Sequence, residues 1–396
     1  MIGEPLPTAV VLGMSPTGLA VVRSLGRQGV PVVSLDKNPW AIGRFSRYGK
    51  YLRVKGRKEE WEEMLLQALL SLAQQLPKKP VLFCTEDVYL LFAAKYADQI
   101  RESYILPSSM TEEIIRMFLD KERFYKMCLE QGVELPATYF PQSPEEVRTF
   151  SQELSYPCII KPSFPHLWRK RLRGGKVILV RNPQELVSEY ERIYHWDKRV
   201  VIQEVVPGGD DCIYVFGGYF NKNSEPLAIF TGKKLRQFPP RFGSASLAQS
   251  VWQPEVAEMS IALLKKLKFH GICGTEFKRD PRDGRFKMME INQRPVLWFS
   301  LVEASGVPLI YAAYRDLIGE PLPGTERQKD EIKWIYTVRD LASSISYLFG
   351  NELALGDWFN SIRGKKVYAN FARDDILLMP MLPVYLITQL CEYIRR

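Results

Sequence analysis

The chain has 396 residues, enough for two or three domains around substantial cores. Its 46% hydrophobic and 25% charged content is that of an ordinary globular protein and excludes a disordered or fibrous chain. Lys and Arg number 54 against 45 Asp and Glu, and the resulting +9 suits anionic small ligands as readily as nucleic acid or a membrane surface, so charge alone selects none of them.

Six cysteines, Cys84, Cys128, Cys158, Cys212, Cys273 and Cys391, stand singly in apolar runs with no C-x-x-C spacing. That pattern predicts reduced, buried thiols in a cytoplasmic protein, with neither a disulfide frame nor a zinc site. The opening MIGEPLPTAVVLGMS has no basic leader or cleavage site, so no signal peptide is expected. The most membrane-like stretch, Ile376 to Ile394, contains Pro380, Pro383 and Glu392. It reads as a buried or surface-docked terminal helix, with interfacial membrane contact through Arg395 and Arg396 as the alternative.

In chain order, Ala9 to Leu12 is a short apolar strand, Gly13 to Gly18 a loop, Leu19 to Gln28 a helix, and Val32 to Leu35 a second strand tipped by Asp36. This β-α-β unit predicts a parallel α/β sheet. Gly13-Met14-Ser15-Pro16-Thr17-Gly18 lacks the middle glycine of a dinucleotide fingerprint, although Asp36 follows at about the spacing of a ribose-binding acid. The more modest expectation is a helix amino terminus facing a small anionic or zwitterionic ligand. A helix over 59–76, a strand over 81–84 and a helix capped by Thr85-Glu86-Asp87 complete a first domain ending near residue 110. Asp87 reads as a helix-terminal acid favoured by the macrodipole more readily than as a ligand-binding residue.

From Thr111 the pattern changes. A helix opens at Thr111-Glu112-Glu113 and another at Asp120-Lys121, and the apolar run Cys158-Ile159-Ile160 terminates in Lys161. An ammonium at the end of a buried strand needs an anionic partner, and a phosphate would serve. Ser163 to Gly175, SFPHLWRKRLRGG, is basic and ends in paired glycines. It fits a solvated turn or a nucleic-acid loop, and fits better still a lid over phosphates. His166 and His195 have no partner visible in sequence. Val200 to Val206 is a buried strand carrying Gln203 and Glu204, and it runs into Pro207-Gly208-Gly209-Asp210-Asp211. Its backbone suits the donor-acceptor edge of adenine, and an acid a few residues on suits ribose hydroxyls. Strands over 214–219 and 227–230 lead to the basic run Gly232-Lys233-Lys234-Leu235-Arg236, which is either surface or a site for a substrate carboxylate or terminal phosphate. A helix over 254–267 follows.

Gly271 to Pro295 reads as a hairpin reversed at Pro281-Arg282-Asp283-Gly284. Folding it about Asp283 sets Glu276 opposite Glu290, while alternation puts Glu290, Asn292 and Arg294 on one face. Two carboxylates so close are either neutralised by surface lysines and arginines or held apart by a divalent cation with hard oxygen ligands.

With lysines at the start of one helix and the end of a later strand, a glycine-ended flap, the Gln203-Glu204-Val205-Val206 hinge, and Glu276 followed by Glu290-Ile291-Asn292-Gln293-Arg294, the chain resembles the ATP-grasp superfamily. Within it, the chain looks most like carboxylate-amine ligases of the D-aspartate ligase type. The likeness runs from about Thr111 to Glu320, and the flap departs from it by carrying Trp168, Arg169, Lys170, Arg171 and Arg173 in place of small residues. The resemblance implies an α/β chain of three parts: an amino-terminal parallel α/β domain at 1–110, a two-lobed ATP-grasp domain at 111–320 with a lid over about 121–205, and a small helical extension at 321–396. It implies ATP held by Lys121 and Lys161 at the phosphates, by Gln203, Glu204, Val205 and Val206 at adenine, and by Asp210 or Asp211 at ribose. Glu276, Glu290 and Asn292 would hold Mg2+, with Mn2+ an acceptable substitute, and Arg294, assisted by Lys234 and Arg236, would act on the reacting groups. The implied partners are a small carboxylate and an amine, with no nucleic acid and a homodimer as a further expectation. A carboxylase or a non-catalytic ATP-binding regulator on the same fold is the alternative.

Overall fold

The computed structural model describes residues 5–57, 59–164, 168, 177–322, 327–381 and 385. The amino-terminal unit comprises β1 (Ala9–Leu12), α1 (Pro16–Arg27), β2 (Val32–Asp36), β3 (Lys50–Arg53), α2 (Trp61–Gln74), β4 (Val81–Cys84), α3 (Asp87–Lys95) and α4 (Ala97–Ser103). Its sheet is all parallel in the order β3-β2-β1-β4, as the β-α-β reading requires. Helix α1 begins three residues before the expected Leu19, because Ser15 is the extended residue before it and Pro16 supplies a first-turn residue that needs no N–H partner. The tight entry also explains Gly18, where an added Cβ would lie 1.9 Å from the Gly13 carbonyl oxygen.

Two helices, α5 (Glu112–Leu119) and α6 (Lys121–Glu130), lead into the unit expected as the lid, which contains β5 (Thr138–Tyr139), α7 (Pro144–Phe150), β6 (Cys158–Pro162), β7 (Ile178–Val180), α8 (Pro183–Tyr194) and β8 (Val200–Glu204). Its antiparallel sheet has the order β5-β8-β6-β7. The lid owns a separate core of Ile160, Trp168, Val180, Leu186, Tyr190 and Ile202, so it can stand as its own packing unit. His166 and the flap residues at 165–167 and 169–176 lie outside the described residues. Trp168 is buried, and its Nε1 donates to Asp197 at 2.7 Å.

The third unit contains β9 (Ile213–Phe220), β10 (Pro226–Phe238), β11 (Ser244–Ser250), α9 (Pro254–Lys266), β12 (Gly271–Arg279), β13 (Phe286–Asn292), α10 (Phe299–Ala304), α11 (Leu309–Leu317), β14 (Lys333–Ile335), α12 (Thr337–Phe349), α13 (Leu355–Ile362) and β15 (Lys366–Tyr368). Its seven-stranded sheet runs β13-β12-β9-β10-β11-β14-β15. The stretch after Glu320 was expected to be a helical appendage. It does supply α12 and α13, but β14 pairs with β11 and β15 with β14, so the main sheet continues through it. Strands of three residues carry too little period-2 pattern to be read from sequence. One apolar core, including Val11, Val21, Tyr219, Trp298, Tyr314 and Trp334, spans the amino-terminal unit and this sheet.

Two ionic clusters fasten the extension. Arg236 on β10 donates from Nε and Nη2 to both oxygens of Asp340 on α12, each at 2.9 Å, and both residues are at most 4% exposed. Asp375, 1% exposed, accepts from Arg23 Nε, Ser46 Oγ and the Arg47 N–H, each at 2.8 Å, tying the extension to α1 and the segment after it. Among the described residues no helix is long and apolar enough to cross a membrane. Cys84, Cys128, Cys158 and Cys273 are free and buried, and Cys212 is free and half-buried; Cys391 and most of 382–396 lie outside the described residues.

A buried charge stripped of its partner is costly. Asp340→Ala should therefore lower unfolding free energy by about 3–5 kcal/mol in urea denaturation, by stranding the Arg236 guanidinium; an unchanged transition would mean the pair contributes nothing to stability.

Candidate active site

The β12–β13 hairpin pairs Glu276 with Glu290 and Gly274 with Asn292. The expected pairing is met, but by another route. Near the turn the partners are Arg279 with Phe286, Lys278 with Lys287, and Phe277 with Met288, which centres the reversal between Arg282 and Asp283. Met289 is then an extra residue, a bulge that advances β13 by one and brings Glu290 opposite Glu276. The turn itself is held by Asp280, fully buried, which accepts from the Arg282 N–H at 3.0 Å and from Lys287 Nζ at 2.6 Å. Gly284 takes a positive φ of 76° there.

Around this pair the structure gathers cations from three elements. Lys234 of β10, 3% exposed, donates to Glu276 Oε1 at 2.7 Å and to Gln237 Oε1 at 3.1 Å. Lys161, at the end of β6, is 5% exposed and donates to the Tyr125 hydroxyl at 2.5 Å and to Gln203 Oε1 at 2.6 Å. Burial first, and then the nearby Lys121 charge, hold the Lys161 ammonium well below the usual lysine range, and Glu290 opposes them. Lys121 is the first residue of α6, whose N-cap Asp120 accepts from the Glu122 and Arg123 N–H groups and from Arg199 Nη2. The Tyr125 hydroxyl donates in turn to the Met289 carbonyl at 2.8 Å. The lid lysine is thus coupled to the bulge that positions Glu290. Asn292 Nδ2 donates to Glu290 Oε1 at 2.7 Å, fixing the amide beside the carboxylate.

Arg294 Nε donates to Asp87 Oδ1 at 2.5 Å. Burial depresses this guanidinium, but Asp87, Glu290 and Glu86 outweigh it and hold its pKa above the usual value. Asp87 is the first residue of α3 and the partner of Arg294, so it serves both as a helix-terminal acid and as the link between the amino-terminal sheet and the hairpin. Asp36 is structural: its carboxylate accepts from the Met14 N–H at 2.6 Å, the Asn38 N–H at 2.8 Å and the Tyr89 hydroxyl at 2.9 Å, and it is 5% exposed. Those donors leave it no place at a ribose, which removes the dinucleotide reading.

Other expected site residues are engaged elsewhere. Gln203 is fully buried, with its oxygen on Lys161 and its Nε2 donating to Thr138 Oγ1 at 2.8 Å. Glu204 pairs with Arg282 Nη1 at 2.5 Å and accepts from the Ala137 N–H at 3.3 Å. The Val205 N–H donates to the Pro157 carbonyl at 3.0 Å, whereas Val206 follows it buried in the hinge. Asp210 accepts from the Gln237 N–H and Nε2, both at 2.8 Å, and from the Tyr347 hydroxyl; Asp211 beside it is exposed. Arg236 is turned to Asp340, and Lys234 to Glu276, because the register of β10 against β11 slips between them. Tyr125, Gln237 and Asp340 were not anticipated. Only Tyr125 carried a sequence signal, one helical turn after Lys121 on α6.

Residues 198–325 match the family model described as "Carbamoyl-phosphate synthase L chain, ATP binding domain". The chain is 23% identical over 263 residues to a D-aspartate ligase of Enterococcus faecium, covering 63% of this chain and 62% of that protein. It is 23% identical over 335 residues to the carbamoyl phosphate synthase large chain of Thermoanaerobacter pseudethanolicus, covering 80% of this chain but only 29% of that one. The chain therefore spans less than two thirds of either relative. Among solved structures, the biotin carboxylase domain of the 2-oxoglutarate carboxylase of Hydrogenobacter thermophilus, in complex with MgADP, ADP and bicarbonate, superposes with a TM-score of 0.62 at 16% identity, over 82% of this chain and 72% of that one. Residues 198–325 thus resemble an ATP-binding domain of the ATP-grasp kind, and the chain shares the fold of these solved structures.

Proposed function

We propose that this protein is an ATP-dependent ligase that joins a small carboxylate, an amino acid or peptide-like acid, to an amine. The observation that carries the reading is the paired Glu276 and Glu290 facing the buried Lys161, whose hydrogen-bond partners are both neutral. An ammonium kept in that state lacks an anionic hydrogen-bond partner, and a metal-bound triphosphate supplies one. The similarity to D-aspartate ligase supports the amino-acid substrate class.

Glu276, Glu290 and Asn292 fit Mg2+ in donor chemistry, being hard oxygen ligands on adjoining strands. Among the described residues no group of three or more His, Cys, Asp or Glu side chains could hold a metal ion, so this reading has phosphate oxygens and water supply the remaining ligands. When bound, the ion would neutralise charge on the phosphates. Lys121 and Lys161 take the phosphates, and the hinge from Glu204 to Val206 takes adenine, with Gln203 contributing by orienting Lys161. Asp211 takes the ribose, since the oxygens of Asp210 are already engaged.

In the reaction a substrate carboxylate oxygen attacks the γ-phosphorus as the bond to the β–γ bridging oxygen breaks, giving an acyl phosphate and ADP. The amine nitrogen then attacks the acyl carbon, the carbon–oxygen bond to phosphate breaks, and the amine loses a proton. Arg294, held by Asp87, balances charge on the carboxylate and then on the departing phosphate, and Lys234 assists from beside Glu276. Positioning and charge neutralisation suffice for such transfer, so no nucleophilic triad is needed. Arg236 serves this reaction only by holding the extension. The setting proposed is the cytoplasm, where ATP and amino acids are available.

Two measurements test this. Amino-acid-dependent release of ADP and phosphate should appear in a screen of acids and amines, and Glu290→Gln should reduce it by about 100-fold or more with the unfolding transition preserved; full turnover in the variant would remove Glu290 from the site. Phosphate beside Lys161 should raise its depressed pKa. ATP binding at alkaline pH should therefore take up a proton, visible by calorimetry in buffers of different ionisation heat and lost in Lys161→Met; proton-neutral binding by the unmodified chain would contradict the assigned contact.

A further inference from the structure

Helices α12 and α13 form the crossover between the parallel strands β14 and β15. One side of α12, with Asp340, Ser343 and Tyr347, is buried against β10 and β11. Leu341, Ile345 and Phe349 follow one another at intervals of four, which aligns them as a stripe on a different side, and they are 55%, 45% and 88% exposed. Helix α13 buries none of its residues. Polar contacts hold it, with Trp358 Nε1 donating to Ser344 Oγ at 3.0 Å and Arg236 Nη1 to Ser361 Oγ at 2.6 Å, while Leu355 and Phe359 stand 64% and 53% exposed. Five large apolar side chains on two adjoining helices thus face water, where singly scattered ones would need no explanation.

The end of the crossover that meets the strands is basic. Lys333 and Lys366 are register partners across β14 and β15, an opposition of like charges that destabilises a strand pair. Both ammoniums turn to carbonyls at the close of α13, Lys333 to Asn360 at 3.0 Å and Lys366 to Ile362 at 2.6 Å. Burial first, and then the charges of Lys366 and Arg236, hold the Lys333 ammonium below the usual lysine range, and Glu331 opposes them. Arg363 and Lys365 add two exposed cations just after α13, and among the described residues none of the four is ion-paired. The one exposed acid on these helices, Asp357, is two residues from Phe359 and so lies about 200° round α13 from it.

We propose that the α12–α13 crossover is a docking surface for an anionic phospholipid membrane, with its apolar stripes entering the acyl boundary and Lys333, Arg363, Lys365 and Lys366 meeting the phosphate headgroups. Apolar side chains beside uncompensated cations are the chemistry by which a helix lies in the plane of such a surface. Lipid satisfies both demands at once. A second copy of the chain does not, since its matching surface would set four cations against four and offer them Asp357 alone, Glu352 in the connecting turn being paired to Arg241 at 2.7 Å.

Sedimentation of the full chain with lipid vesicles tests the proposal. The chain should bind vesicles of equimolar phosphatidylglycerol and phosphatidylcholine saturably, bind phosphatidylcholine alone far more weakly, and be released as salt is raised. Phe349→Ser together with Phe359→Ser should weaken binding by about 10-fold or more, and Arg363→Glu together with Lys365→Glu by about the same factor or more. All four side chains are exposed, so the unfolding transition should be preserved. The same charge change at Lys55 and Arg57, exposed residues after β3, should leave binding intact, which separates this face from the overall +9 of the chain. Absence of vesicle binding, binding that survives both double changes at the crossover, or an equal loss with the Lys55 and Arg57 pair would overturn the proposal. Dimerisation that the crossover changes abolish, without any vesicle binding, would also overturn it and assign the face to a second copy. The readout is binding and not turnover, so failure here leaves the ligase reading standing.

Discussion

A lysine amine buried among neutral partners is the condition to which the rest of the molecule answers. Lys161 is placed at the end of β6 by an apolar strand, and once there it needs lone pairs that a hydrophobic core does not contain. Tyr125 and Gln203 provide them, and each has a second obligation, Tyr125 to the Met289 carbonyl and Gln203 to Thr138. Satisfying one amine therefore links lid, helix α6 and hairpin into a single polar chain. What the chain lacks is negative charge beside the amine, since Glu290 acts on it at a distance and Lys121 acts against it. Preorganised, under-compensated positive charge is the arrangement that phosphoryl transfer exploits, because stabilisation is in place before the reacting charge develops.

Irregularities in two strands then decide which side chains reach that region. The extra residue at Met289 brings Glu290 level with Glu276, and the slip in β10 gives Lys234 and Arg236 different partners, Glu276 for one and Asp340 for the other. Strict alternation would have kept the two cations on one face. Splitting them gives one to the acids and the other to the extension. Bulges beside functional residues do this routinely, turning a side chain without breaking the sheet.

These details mark the limit of what the sequence discloses. Apolar runs such as Ala9–Leu12 and Val81–Cys84, the capped start of α6 at Asp120 and the strand-terminating Lys161 are local signals, and the structure contains each of them. The Glu276–Glu290 pairing was legible from spacing, yet the fold about Asp283 that led to it differs by half a residue from the actual turn. Hydrogen-bond competition was not legible. Nothing near Asp36 announces that Met14 and Tyr89 consume its oxygens, and nothing near Asp210 announces Gln237 and Tyr347, since those partners arrive from 22 to 137 positions away. The strands β14 and β15 stayed hidden for a different reason, as three residues show neither period nor length.

The Arg23–Asp375 contact joins residues 352 positions apart, and this separation bears on how the protein is made. At ribosomal rates of about 5–20 residues per second, Asp375 emerges some tens of seconds after α1. During that interval the guanidinium destined for a 4%-exposed position has no native acid, so the amino-terminal sheet cannot seal the side of α1 that carries it. The packing of α1 is thus completed by a segment made 352 residues after it.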